Sequence, residues 1–376
     1  MGPDVAGTAG EKNAHGSTLW DRSGHHLYRV TGDARLRRRG LMPDHVHFWT
    51  RHPEARTAWD PDLEPGLHLT AYGHAFLELF QRMRGAGLPV SIGVDIPAYA
   101  TAVVASMEEL VAHQPQIPAR MRLRLGFALL RRALVAPGRM PGMVVLRVDT
   151  YLSVRAPSFT TLEAMPTRAS VRLSRQRVLP LLPQRGIRPR DAGRGDRLET
   201  VAIKAYSYNV PAWADARFRS SLTELGMTLR VDTEHDGRWE DFRDVDVVLC
   251  THGRGVDERS KPPTKLIAAW HGGAIPVCGS YAGYTETGVD GETMVLADGD
   301  SADALLVALR RLRDAPELAS RIRSALPSAA AAHSAEAVLD TSWLAFTSAP
   351  PTPRLLSALA VTAPAAALSR WRRLMR

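Results

Sequence analysis

Apolar positions along the chain recur with two periods, two and three-to-four, in alternation. His45-Val46-His47-Phe48-Trp49 alternates and carries aromatics, which predicts a first strand. From Tyr72 to Arg84 the residues Phe76, Leu79, Phe80 and Met83 are spaced by three and four, which predicts a helix ended by Gly85 and Gly87. Val90–Gly93 and Ala102–Ala105 read as short strands, Arg122–Leu134 as a helix with basic and apolar faces, and Met143–Val148 as a further strand. Proline and charge without periodicity between about Pro180 and Arg197 mark a hinge. A second set follows: strand Val201–Lys204, a helix from about Ala214 to Leu225, and strands Met227–Val231 and Val245–Cys250.

The stretch from Asp257 to Asp300 is the most informative part of the chain. It reads as a loop, a helix with Thr264 as N-cap, and a stop at Gly272 and Gly273. Then come an apolar strand Ala274–Cys278, a small-residue turn from Ser280 to Glu286, and a hairpin-like segment. Helices are expected over Ser301–Arg313 and Asp314–Ala325, with an alanine tract at Ala329–Ala332.

Alternating strands and helices define an α/β protein with parallel sheets, here as two Rossmann-like domains. The expected division is a flexible leader at 1–40, one domain at 41–180, a second at 198–348 and a basic tail at 349–376. Ligands of such sheets collect beyond the carboxyl ends of the strands. That rule draws attention to the segment after Val148: Asp149, Tyr151, Arg155, Ser158, Thr160 and Glu163. Asp149 is the candidate for acceptor binding or a general base, with loop capping as its ordinary alternative. Arg147 and Arg155 suit an acidic acceptor or a nearby acid, and His47 and His74 are further candidates that the core could equally claim.

Composition narrows the partners. The 376 residues carry a formal net charge of +9, which favours acidic partners such as nucleoside diphosphates or an anionic membrane surface. No zinc-finger spacing or aromatic-basic RNA motif appears, so nucleic acid is not an expected partner. No G-x-G-x-x-G with an acid about twenty residues on is present, which disfavours a nicotinamide enzyme, and no cofactor is expected. The two cysteines, Cys250 and Cys278, lie in or beside apolar strands and read as buried thiols. No run approaches the roughly eighteen apolar residues of a membrane span, and the N-terminus lacks a secretory pattern. The expected location is therefore cytoplasmic, with the acid-free tail Arg354–Arg376 offering peripheral contact with the inner membrane face.

Residue chemistry within the central stretch suits a phosphorylated ligand. A helix N-terminus presents unpaired N–H groups and partial positive charge, and Arg259, Lys261 and Lys265 surround the one at Thr264. The Ala282-Gly283 turn would allow a ligand close to the backbone, and Glu286 would accept hydrogen bonds from hydroxyls.

KLIAAWHGGAIPVCGSYAGYTETGVDGETMVL, followed by an Ala/Leu/Arg helix and DAPELASRIRSA, resembles the C-terminal domain of nucleotide-sugar glycosyltransferases with the GT-B fold. The order and spacing of the pieces over Lys261 to Ala325 carry the resemblance. It implies a glycosyltransferase that moves a sugar from a nucleotide-sugar donor to an unidentified acceptor, with the acceptor on the first domain and the donor on the second. It further implies donor contacts at Lys204, Tyr206 and Ser207 after one strand, and at His252, Gly253 and Arg254 after another. Within the central stretch the implied donor set is Lys261, Thr264, Lys265, Gly283, Tyr284 and Glu286. Convergence of Lys204, Arg254 and Lys265 would offset a leaving diphosphate without a metal. The resemblance also implies that Trp343, Leu344 and Phe346 cross back onto the first domain. Retaining members carry a Glu-x7-Glu pattern, whereas this chain has Ser260 and Ala268 at those positions. Retaining and inverting chemistry therefore stay open, and the alternative is a non-catalytic binding or scaffold protein of the same fold.

Overall fold

The computed structural model describes residues 44–50, 73–111, 118–135, 140–147, 154–252 and 259–352. Two sheets, parallel throughout, account for the described strands. The first holds β1 (Val46–Trp49), β2 (Val90–Gly93), β3 (Ala102–Ser106), β4 (Gly142–Leu146), β5 (Leu162–Met165) and β6 (Gln176–Val178), in the order β2-β1-β3-β4-β5-β6. Its central strands are buried on both faces, so each side chain belongs to one of two cores by the period-two rule. Val46, Phe48, Ala102, Val104, Val144 and Leu146 face one core, and Trp49, Val103, Ala105, Met143 and Val145 face the other.

Helices cover both faces. On the first lies α1 (Glu78–Gly85), entered through a π-helical turn at Gly73–Leu77. On the second lie α2 (Met107–Val111) and α3 (Pro118–Val135), which contribute Met107, Leu110, Met121, Leu125 and Leu129. The strand expected to run to Val148 ends at Leu146, and β5 and β6 stand where sequence periodicity showed only rim loop. Both missed strands are short, and β6 has only one buried residue, so neither leaves a readable pattern.

The second sheet is built from β7 (Thr200–Lys204), β8 (Thr228–Asp232), β9 (Val247–Cys250), β10 (Ile275–Cys278) and β11 (Val295–Leu296), in the order β11-β10-β9-β7-β8. Because β7 pairs with β8 on one side and β9 on the other, the strand order reverses at β7 and β9. A crevice forms beyond the carboxyl ends of the strands at such a reversal. Around this sheet run α4 (Ala216–Glu224), α5 (Thr264–His271), α6 (Ala282–Thr287), α7 (Ala302–Asp314) and α8 (Pro316–Ala332). The last helix, α9 (Ala335–Thr347), leaves this half and returns to the first core with Val338, Leu339, Trp343 and Phe346, while Leu344 points to solvent.

Details of the central stretch depart from the sequence reading. Thr264 is the first helical residue of α5, and Pro263 is its N-cap without a side-chain cap bond. The stop at the other end is as expected in Gly273, whose φ is +67°, but Gly272 is needed for space, since a Cβ there would collide with the Phe242 ring. The expected turn from Ser280 to Glu286 contains the helix α6. Part of the expected hinge is firmly packed: Arg190 and Arg194 both bind the buried Asp246. Cys250 and Cys278 are paired neighbours on β9 and β10, buried as free thiols. The leader, the basic tail, Asp149, Tyr151 and Arg254 lie outside the described residues.

Candidate functional site

The carboxyl rim of the second sheet gathers side chains from four connections. After β9 come Thr251 and His252; after β10 come Tyr281 and Tyr284; after β11 comes Asp300; and α5 brings Lys265. Asp300 ties the loops together. Its Oδ2 accepts from the His252 backbone N–H at 3.1 Å and from the Tyr281 hydroxyl at 2.6 Å, and its carbonyl accepts from Trp213 Nε1 at 3.0 Å. His252 Nε2 and the Tyr284 hydroxyl share a hydrogen bond of 2.9 Å. The imidazole is buried, and desolvation together with the nearby Lys265 and Lys261 charges holds its pKa well below the usual range. Burial likewise pushes the Tyr284 hydroxyl well up, so both partners are neutral.

Lys265 is the anomaly of this rim. It sits in the first turn of α5, and its ammonium donates to the Thr251 carbonyl, the one acceptor it has among the described residues. No carboxylate pairs with it there. Desolvation, aided by Lys261 and opposed by Asp300, lowers its pKa from 10.5 to about 8. Beside it the Thr251 hydroxyl is buried with no hydrogen-bond partner among the described residues. A cation with two spare N–H donors next to an unsatisfied hydroxyl is an arrangement that an incoming anion completes.

Lys204 shows what a satisfied buried lysine looks like. Its three donors go to Asp232 Oδ2 at 2.7 Å, the Arg238 carbonyl at 2.7 Å and the Asp241 carbonyl at 3.0 Å, and its ammonium lies 4.5 Å from the Phe242 ring centre. Those bonds use its full donor capacity. Lys204 is therefore a structural residue in this conformation, with no donor left for the phosphate contact expected of it. The sequence placed it correctly at a strand end but gave no sign of Asp232 beneath it. Tyr206 remains on the rim, where its ring stacks on Tyr208 at 5.3 Å and tilts against Trp239 at 5.4 Å. Desolvation, with help from Tyr208 and Glu234, pushes its hydroxyl up to about 12.

Two further expectations are corrected. The close approach that Gly283 permits is not to open space: a Cβ there would strike the Lys261 carbonyl oxygen, so the glycine lets α6 dock against the Lys261–Pro263 loop. Glu286 does not stand open for hydroxyls. Its carboxylate accepts from the Arg168 and Ala169 backbone N–H groups at 2.6 and 2.8 Å, across to the part of the chain that follows β5. Thr167 Oγ1, in the same turn, donates to the Arg259 carbonyl at 2.6 Å. Three bonds thus join the loop before α5 and the end of α6 to the turn at 167–169. Glu286→Ala is expected to speed amide hydrogen exchange of Arg168 and Ala169 by about tenfold, the loss of two charge-assisted but exposed bonds. Unchanged exchange at both amides would mean the carboxylate holds nothing in solution.

On the first sheet, His47 is a core residue: it is 1% exposed, and its Nδ1 and Nε2 engage Ser91 Oγ at 2.9 Å and the Gly93 carbonyl at 3.2 Å. Burial drives its pKa to about 4. Glu163 belongs to β5 and is fully buried between Arg147 at 2.5 Å and Arg175 at 2.6 Å, so neither it nor Arg147 is a free acceptor contact. Asp300 and Tyr281, central to the observed rim, were missed in the sequence. The only signal for Asp300 was an acid following a glycine at the end of the last short strand, and Gly299 there has a φ of +104°.

No protein-family model matches the chain, and no curated protein matches it. Among solved structures the chain is similar to GT-B glycosyltransferases. HepE of Anabaena, in complex with UDP and glucose, is 12% identical with a TM-score of 0.45, over 80% of this chain and 98% of that one. Sucrose-phosphate synthase of Thermosynechococcus elongatus is 10% identical with a TM-score of 0.47, over 80% and 98%. WaaG, described as a glycosyltransferase involved in lipopolysaccharide biosynthesis, is 13% identical with a TM-score of 0.40, over 81% and 100%.

Proposed function

We propose that the protein is a glycosyltransferase that binds a nucleotide-sugar at the carboxyl rim of the second sheet and passes the sugar to an acceptor held by the first. The observation that carries this reading is Lys265, a half-buried and singly bonded ammonium beside the unsatisfied Thr251 hydroxyl at a topological switch point. The sequence resemblance over Lys261 to Ala325 supplies the substrate class. A diphosphate set against the first turn of α5 would receive charge-assisted bonds from Lys265 and Lys261 and a hydrogen bond from Thr251. These cations stabilise the leaving nucleoside diphosphate as the glycosidic bond breaks, the role that a metal would otherwise fill. Tyr206, stacked at the neighbouring strand end, borders the same crevice.

His252 and Tyr284 form a neutral hydrogen-bonded pair at the base of the site, suited to positioning and not to carrying charge. Asp149, following β4 on the first half, is proposed as the acceptor-side base. The second reading is a binding protein without turnover, and Ala268 motivates it, since the position where retaining relatives carry a carboxylate is apolar and buried here. Incubation with a panel of nucleotide-sugars, following nucleoside diphosphate release, separates the two. Release from one donor, lost in Lys265→Met, is the expected result. Saturable binding without release would favour the binding protein, and neither binding nor release from any donor would refute a donor site.

A further inference from the structure

The helix α3 carries two apolar stripes, and only one of them enters the core. Met121, Leu125 and Leu129 are buried against β3 and β4. Arg124, Phe127, Arg131, Leu134 and Val135 are exposed, and at 100° per residue they fall within about a third of the helix circumference. Phe127 is 62% exposed and Leu134 is 76% exposed. The 18-residue helix contains no acid. Arg131 reaches Asp95 at 3.0 Å and Arg132 reaches the Ala98 carbonyl at 2.8 Å, so the loop after β2 lies alongside and brings exposed Tyr99 to the same region.

From this face we infer that the protein docks on an anionic lipid surface through α3, with Phe127, Leu134 and Val135 entering the headgroup boundary and Arg124 and Arg131 meeting lipid phosphates. This inference is separate from the sugar-transfer reading and does not depend on it. Charge complementarity selects the occupant. A second copy of this chain docking face to face would set Arg124 and Arg131 against their own counterparts, and the acid that touches this face, Asp95, is already bound to Arg131. The acid-free segment Arg354–Arg376 offers no counter-charge either. Lipid phosphate supplies both an anion for the guanidinium groups and an apolar layer for the rings beside them. Among the described residues no helix is long and apolar enough to cross a membrane, so the contact is one of lying on the surface.

The test is sedimentation of the full chain with phosphatidylcholine vesicles and with mixed phosphatidylcholine–phosphatidylserine vesicles. The expected result is partition onto the mixed vesicles only, weakened by salt. Phe127→Ser with Leu134→Ser, which leaves the charge unchanged, is expected to cut that partition at least about tenfold without moving the melting temperature, because both side chains are already in water. Arg124→Glu with Arg131→Glu is expected to remove it. Three results would overturn the inference. One is no partition onto either vesicle. Another is partition that survives both double substitutions, which would place the contact elsewhere in the chain. The third is a concentration-dependent dimer that the serine variant abolishes, which would identify a second copy as the occupant.

Discussion

Lys265→Met is expected to lower affinity for nucleoside diphosphates by at least about a hundredfold while making the unliganded protein more stable. The two effects share one cause. Holding an ammonium in a desolvated rim with a single carbonyl partner lowers its pKa from 10.5 to about 8, equivalent to about 3 kcal/mol of cost at neutral pH. Methionine has similar length and no charge, so the cost disappears. The charge that a diphosphate would have paired with disappears too, and truncating one member of a buried, hydrogen-bonded charge pair typically costs 2–5 kcal/mol of binding. The sign of the pH dependence follows. Because the folded pKa lies below the unfolded one, the penalty is full below about pH 8 and is relieved as pH rises from about 8 towards 10.5. Wild-type stability therefore gains over that window relative to the methionine variant. Thermal unfolding of both proteins across it, with and without nucleoside diphosphate, reads both effects. A methionine variant less stable at neutral pH would show that the lysine is structural, as Lys204 is.

Asp246→Ala is expected to destabilise the second half by about 3–5 kcal/mol, because two arginines lose their buried counter-charge together. Asp246 precedes β9 and is fully buried. Its two oxygens accept from five donors: Arg190 Nε, Arg194 Nε and Nη2, and the Glu199 and Thr200 backbone N–H groups. Burial alone would raise its pKa. The bonds from Arg194, Thr200, Glu199 and Arg190 outweigh that and draw it from 3.8 down to about 2. Asparagine is no remedy, since its amide would turn N–H groups towards N–H groups. The depressed pKa contributes stability that is present above about pH 4 and is lost as pH falls through about 2, roughly 2 kcal/mol in all. Denaturant unfolding of wild type and variant at neutral pH and near pH 2.5 tests it: the gap between them is expected to narrow in acid. A constant gap would mean that the carboxylate's charge is not what the arginines need.

Legibility in the sequence followed burial on both faces. Strands such as Val201–Lys204 and Ala102–Ala105, and the strand ending at Cys250, were plain because parallel central strands are apolar throughout. β6 was invisible because one buried glutamine in three residues has no period. The site divided in the same way. Lys265 stood out as a cation at a helix start, and the helix start is set by local sequence. Lys204 looked equivalent, but its fate was decided by Asp232 and two carbonyls that lie 28 to 37 residues away along the chain. Glu286 is further still from its partners, 118 residues from Arg168, and no local pattern announces such a contact. Asp300 and Tyr281 were missed because their role is to hold loops in register, which only the folded rim displays.

The most direct test of the donor site is calorimetric titration of the full chain with the common nucleoside diphosphates, at about pH 7 and about pH 9, using wild type and Lys265→Met. The account predicts one preferred nucleotide for wild type, with affinity falling roughly tenfold for each pH unit above about 8 as Lys265 loses its proton. It predicts no measurable heat for the variant at either pH. Binding that is equally tight in wild type and variant, with no dependence on pH across that range, would contradict the assignment of the diphosphate to Lys265 and to the rim it defines.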